Sequence, residues 1–409
     1  MSGRTERTRP AAAPVSRYVL PARASGVLAQ AERELVLGHA RALLERPTAP
    51  YFEDGPLEVV REFVRAHEGF EIAADEHANL LVRWKGTRPA KKGEPLLAFS
   101  AHLDHPAFHY VGKRGGRHVA RLHGGVPARA LPGAKLRFFA PGEPAELATA
   151  TIARVLSAQP DDVRVELGAL RGRARSGMFG VFDLSSGVIR GGRLFARVCD
   201  DLMGAAAILA TLELCSQARH ERPLLGIFTR AEETGFVGCL GLMRSGALPE
   251  RTHVVGLECS PRRATAKVGR GPVIRAGDKQ SIFDPELTLA VEEAARALEQ
   301  RVPAFRWQRA LMDGGSCEST VYNHYGTRAA GVCLALGNYH NCAPGGGIAP
   351  EFVSWDDHEG LVALLCEVAR GFGGSDPRSK IGARLQRIWE REYNLLATSS
   401  VRLRRGENR

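Results

Sequence analysis

Apolar residues recur at helical spacing from Ala31 to Leu44 and again from Leu57 to Ala66, predicting two amphipathic helices early in the chain. Short apolar runs come next. Leu96–Ala101, Leu194–Val198, Leu224–Thr229, His253–Leu257 and Ala329–Leu336 read as strands. Between them lie helical patterns: Ala205–Leu214 is small and apolar enough for a buried helix, and Pro285–Leu298 has a helix's spacing. Strands alternating with helices predict an α/β fold, a mainly parallel mixed sheet flanked by helices on both faces.

Between Phe108 and Gly192 the texture changes. Gly and Pro are dense, and His118–Leu122, Lys135–Phe139, Ala148–Leu156 and Val163–Leu167 read as short strands. Such spacing predicts a small all-β domain inserted into the α/β one. The expected division is a basic flexible arm at 1–25, a discontinuous α/β domain at 26–107 plus 193–377, the insertion at 108–192, and a basic C-terminal segment at 378–409. In that last segment Ile381–Leu396 is helical in spacing and Arg402–Arg409 is a polar tail.

Charge narrows the picture less than it first promises. The formal net charge is +11, a basicity that commonly signals a nucleic-acid partner. Residues 1–25 carry five Arg against one Glu, and 378–409 carry nine Arg or Lys against three Glu, so the two ends hold almost all of it. With a near-neutral body, nucleic acid is not the expected partner. No run approaches the ~18 consecutive apolar residues of a membrane span, and the N-terminus has no apolar signal core. The eight cysteines include no C-x-x-C pair and fit neither a zinc ribbon nor a disulfide framework. Reduced thiols and a cytoplasmic location are the expectation.

Five segments place acidic or histidine residues just after strand-like runs, where ligands bind in open α/β sheets. These are His102-Leu103-Asp104, Cys199-Asp200-Asp201, Glu232-Glu233, Glu258 and His340. Each has a bland alternative: a turn histidine, a pair of helix caps, two solvated glutamates, a satisfied structural residue. Those alternatives do not account for the shared position. On a strand Asp104 lies on the same side as His102 and would orient its ring. Adjacent Glu232 and Glu233 would repel if both were buried, a conflict that a cation removes. One His and one Glu for each of two ions, with an Asp shared, is nitrogen and oxygen ligation suited to catalytic zinc. Asp200 would bridge the ions, and Glu232 would serve as general base.

The order and spacing of these segments resemble the co-catalytic di-zinc aminopeptidases of the tetrahedral and glutamyl aminopeptidase group. The motifs are Ser100-Ala101-His102-Leu103-Asp104, Val198 to Gly204, Ala231 to Gly238, Leu257-Glu258-Cys259, Gly269 to Ile274 and Tyr339-His340-Asn341. The resemblance implies a zinc-exopeptidase fold in which His102 and Glu258 hold one metal, Glu233 and His340 the other, and Asp200 both. It further implies a cis Asp200–Asp201 peptide, and an insertion that helps subunits associate as dimers or dodecamers. Three departures mark a divergent member. His105 stands where an acidic residue is common, Glu258 where Asp is usual, and the last motif reads Gly337-Asn338-Tyr339-His340-Asn341.

The expectation is a homo-oligomeric, metal-dependent aminopeptidase that binds peptides with a free N-terminus. It would use two divalent ions per subunit: zinc, or else cobalt or manganese. The alternatives are an amidohydrolase or deacylase acting on a modified amino acid with the same residues, and a catalytically silent scaffold.

Overall fold

The computed structural model describes residues 17–21, 25–159, 162–373 and 379–407. Most of the expected arm, 1–16 and 22–24, lies outside the described residues. Arg17 forms a bridge to Val188.

The main sheet has eight strands in the order Phe70–Ala74, Leu80–Trp84, Leu224–Thr229, Leu96–His102, Thr252–Pro261, Ala329–Leu336, Val273–Asp278, Gln308–Met312. The four central strands, from Leu224–Thr229 to Ala329–Leu336, run parallel, and antiparallel pairings on either side make the sheet mixed. Successive side chains point to opposite faces. Leu97, Phe99 and Ala101 accordingly join the larger core cluster, while Ala98 joins the smaller one opposite. Helices Gln30–Leu44, Leu202–Gln217, Pro285–Arg301 and Trp355–Gly371 contribute to the larger cluster, and Val237–Ser245 and Glu318–His324 to the smaller. The α/β expectation therefore holds, with both faces of the sheet covered.

The helix Leu202–Gln217 is buried through most of its length, which its run of small and apolar residues permits. Asp201 caps it, accepting the Gly204 N–H at 3.1 Å. A Cβ at Gly204 would lie 2.2 Å from Asp201 Oδ2, so glycine is required there.

Between Leu96–His102 and Leu202–Gln217, six strands close into a barrel: Ala107–Arg114, Arg117–His123, Asp162–Gly172, Ala148–Gln159, Lys135–Phe139, Phe179–Phe182. Phe108, Leu122, Leu136, Phe138, Ile152, Val165 and Phe182 fill its core. The inserted all-β unit is thus a filled small barrel.

Two elements differ from the sequence reading. Arg193–Ala196 belongs to a separate three-stranded antiparallel sheet, between Val188–Arg190 and Glu351–Ser354. Its alternating burial, unlike the continuous burial of the central strands, suits a ribbon with one wet face. The C-terminal helix runs from Ser379 to Glu407, past Leu396 and through most of the expected tail. Thr398 and Ser400 do not interrupt it, because their hydroxyls bond back to the carbonyls of Asn394 and Leu396, at 2.8 Å each.

Candidate functional site

The four parallel central strands send their carboxyl ends in one direction, and the chemistry gathers there. His102 is the last residue of Leu96–His102 and is buried. Glu232 and Glu233 form a short turn after Leu224–Thr229. His340, in a left-handed conformation at φ 52°, follows Ala329–Leu336. Glu258 lies within a strand that continues to Pro261, so it faces the site from the sheet itself. Asp200 arrives from the three-stranded sheet, ahead of the buried helix, and the Asp200–Asp201 peptide is cis.

Residues from five separate segments thus come together. His102 Nε2 lies 3.4 Å from Asp200 Oδ1, 3.9 Å from Glu258 Oε2 and 4.0 Å from Glu232 Oε2. His340 Nε2 lies 3.2 Å from Glu233 Oε1 and 3.8 Å from Asp200 Oδ2. His340 Nδ1 meets the Gly125 carbonyl from the insertion at 3.0 Å, which turns Nε2 toward the carboxylates. Asp104 lies 3.5 Å from His102 Nδ1, long for a hydrogen bond. Its firmer bonds are to the backbone: its two oxygens accept the N–H groups of Glu232 and Glu233, at 2.9 and 3.1 Å.

The donor set fits metal ions. Two groups, His102 with Glu232 and Glu258, and Asp200 with Glu233 and His340, each bring their ligand atoms within 4.8 Å of one another. His102 Nε2, Asp200 Oδ1 and Glu233 Oε1 are buried without a hydrogen-bond partner. Buried carboxylates crowded together are costly unless protonated or matched by a cation. The titration directions carry the same strain. Burial first, then Glu233, Asp104 and Glu318, push Glu232 well above the usual carboxylate range. Burial and then Asp200 and Glu232 do the same to Glu258. Burial works against charging His340, but Glu233 and Asp200 outweigh it and raise the ring to about 10. Divalent ions would relieve both the crowded carboxylates and the histidines caught among them.

Of the residues that support the site, Glu351 had no signal in the sequence. Glu351 is fully buried and ties two segments of the site: Oε2 accepts the N–H groups of Cys199 and Asp200 at 2.7 and 3.1 Å, and Oε1 that of His340 at 2.8 Å. It is one acid in an unremarkable strand, and only the fold brings it beneath both loops. His105, noted as a departure, links the Asp200 carbonyl at 2.8 Å to Asn341 Oδ1 at 3.0 Å. Tyr339 stacks on the His340 ring at 3.7 Å.

A family model described as M42 glutamyl aminopeptidase matches residues 85–343, which include His102, Asp104, Asp200, Glu232, Glu233, Glu258 and His340 but not Glu351. The chain belongs to that family. It is accordingly a metal-dependent aminopeptidase, a hydrolase. Solved structures share the fold at low identity. An aminopeptidase from the archaeon Desulfurococcus kamchatkensis is 18% identical, covering 85% of this chain and 96% of that one, with a TM-score of 0.67. The Pyrococcus horikoshii TET1 peptidase, described as assembling into a tetrahedron or a large octahedral shell, is 20% identical over 82% of this chain and 99% of its own, with a TM-score of 0.65. An endoglucanase from Thermotoga maritima is 16% identical over 81% and 98%, with a TM-score of 0.58. No curated protein sequence matches the chain. No helix among the described residues is long and apolar enough to cross a membrane.

Proposed function

We propose that this chain removes N-terminal residues from peptides, with two divalent ions, zinc in the first instance, held by His102, Glu258, Asp200, Glu233 and His340. The observation that carries the reading is the pairing of two buried histidine–carboxylate groups across Asp200, whose two oxygens face the two different histidines. Bound there, such ions supply Lewis acidity toward the scissile carbonyl and lower the pKa of water.

Glu232 is the general base in this reading. Glu233 Oε1 is the carboxylate atom nearest His340, and Glu232 Oε2 stands 4.0 Å from His102, beside the ion that His102 and Glu258 would hold. A buried carboxylate with raised proton affinity is suited to take a proton from the attacking water and return it to the departing amine. Asp104 fixes where both glutamates stand through their backbone N–H groups. A homo-oligomer is part of the proposal, supported by the assembly described for the Pyrococcus peptidase.

The test is Glu232→Gln. Two ions retained, with kcat lower by about 10²–10⁴, is the expected result. Full hydrolysis by that variant would sink the assignment of the base. A loss of bound metal would make Glu232 a ligand. Aminoacyl anilides assayed beside N-acyl amino acids separate aminopeptidase from deacylase chemistry.

A further inference from the structure

The Glu232–Glu233 turn is held in an unusual way. Ala231, just before it, is left-handed at φ 49°, a conformation that costs an L-residue roughly 1–2 kcal/mol. Four consecutive N–H groups, from Arg230 to Glu233, are bonded by side chains instead of by a strand or helix. Arg230 N–H donates to Asn79 Oδ1 at 3.0 Å and Ala231 N–H to Glu53 Oε1 at 3.0 Å. Glu232 and Glu233 N–H donate to Asp104, as above.

Glu53 is the centre of this arrangement. Its side chain is fully buried just ahead of the helix Asp54–Ala66. Oε1 also accepts the Tyr51 N–H at 2.8 Å, and Oε2 accepts Arg230 Nε at 2.7 Å. The same guanidinium donates to the carbonyls of His77 and Tyr51, at 2.9 and 3.2 Å. The Asn79 amide closes the far side by donating to the Gly238 carbonyl at 2.9 Å. Glu53 and Asn79 both precede the segment matched by the family model.

We propose that Glu53 is a positioning residue: through Ala231 N–H and Arg230 it fixes the backbone that sets Glu232 apart from Glu233. A bend of high local energy needs fixed partners on both sides, and rotation at Ala231 would carry both glutamates away from their histidines. Asp104 holds the turn from beneath the two glutamates, and Glu53 holds the residues that lead into it. The proposal rests on the function proposed above, and its test has an arm independent of catalysis.

That arm is amide hydrogen exchange on the metal-free protein. Glu53→Ala removes every bond at this position, whereas Glu53→Gln keeps an oxygen for Tyr51 and Ala231 and sets its NH₂ against Arg230. Exchange at residues 230–234 is expected to rise about tenfold or more in Glu53→Ala, with the strand Leu96–His102 and the barrel unchanged. In the metal-loaded enzyme kcat is expected to fall about 10-fold for Glu53→Gln and about 100-fold for Glu53→Ala, with KM within about twofold. Adding Arg230→Met to Glu53→Gln is expected to cost little more, because both act on one link.

Unchanged kcat in both variants overturns the proposal. So does exchange that rises equally across the sheet, since Glu53 would then serve only general stability. A fully active Glu232→Gln would defeat the assignment of Glu232 as the base and leave the exchange result standing.

Discussion

Replacing Glu351 by Gln changes one atom and strikes the scaffold of the site, loosening the backbone of two proposed ligands while leaving every ligand side chain in place. The carboxylate accepts three buried N–H groups, from Cys199, Asp200 and His340. An amide has one acceptor oxygen and one donor end. Its better orientation keeps the oxygen on Cys199 and Asp200 and turns NH₂ toward the N–H of His340. One buried donor then loses its partner, which costs about 1–3 kcal/mol, and two charge-assisted bonds become neutral ones of roughly half the strength. The expected loss is about 2–4 kcal/mol in urea unfolding of the metal-free protein. Affinity for zinc should also fall about 10–100-fold, because Asp200 and His340 are no longer held to a common anchor. A variant within about 0.5 kcal/mol of wild type, with unchanged zinc affinity, would refute the reasoning.

Chelation should lower Tm and zinc should restore it; free metal at 100 times its Kd contributes about 2.7 kcal/mol, and a Tm indifferent to metal would contradict the fit of these carboxylates to cations. Glu94 is held down to about 2 by the two-pronged hydrogen bond from Arg88 and by the Lys91 N–H. A depressed carboxylate gives stability that is present above its unfolded pKa of about 4.3 and lost as pH falls toward 2. Glu94→Gln should therefore lower Tm at pH 7, and the gap to wild type should close by pH 2; a gap that widens in acid would reverse the sign. Ending the chain before Ser379 should leave the unfolding free energy of the rest within about 0.5 kcal/mol, because Leu385, Trp389 and Leu396 are about half exposed or more; a larger loss in calorimetry would show that the helix is packed in solution.

The central strands and the buried helix were legible because continuous apolar runs bounded by turn residues have few other places to go. The ligand candidates were legible for a related reason, since acids and histidines at the ends of such runs are hard to satisfy singly. The run Leu194–Val198 reads as a strand of the main sheet, whereas the observed strand Arg193–Ala196 pairs in the separate antiparallel one. Its alternating pattern is compatible with several partners, and pairing with Glu351–Ser354 is a long-range choice. Apolar spacing marks the C-terminal helix over Ile381–Leu396, but the helix runs on to Glu407, because helical hydrogen bonding continues through a polar segment that carries no apolar period.

The sequence alone determined the fold class, the inserted β unit and the residue types for metal-dependent hydrolysis, because these depend on local periodicity and side-chain chemistry. Tertiary structure decided what stands beneath them. Glu351 bonds residues more than 150 positions earlier in the chain, and Glu53 bonds residues nearly 180 positions later. A buried carboxylate has no local period to reveal its partners; they are whichever N–H groups the folded chain leaves without one.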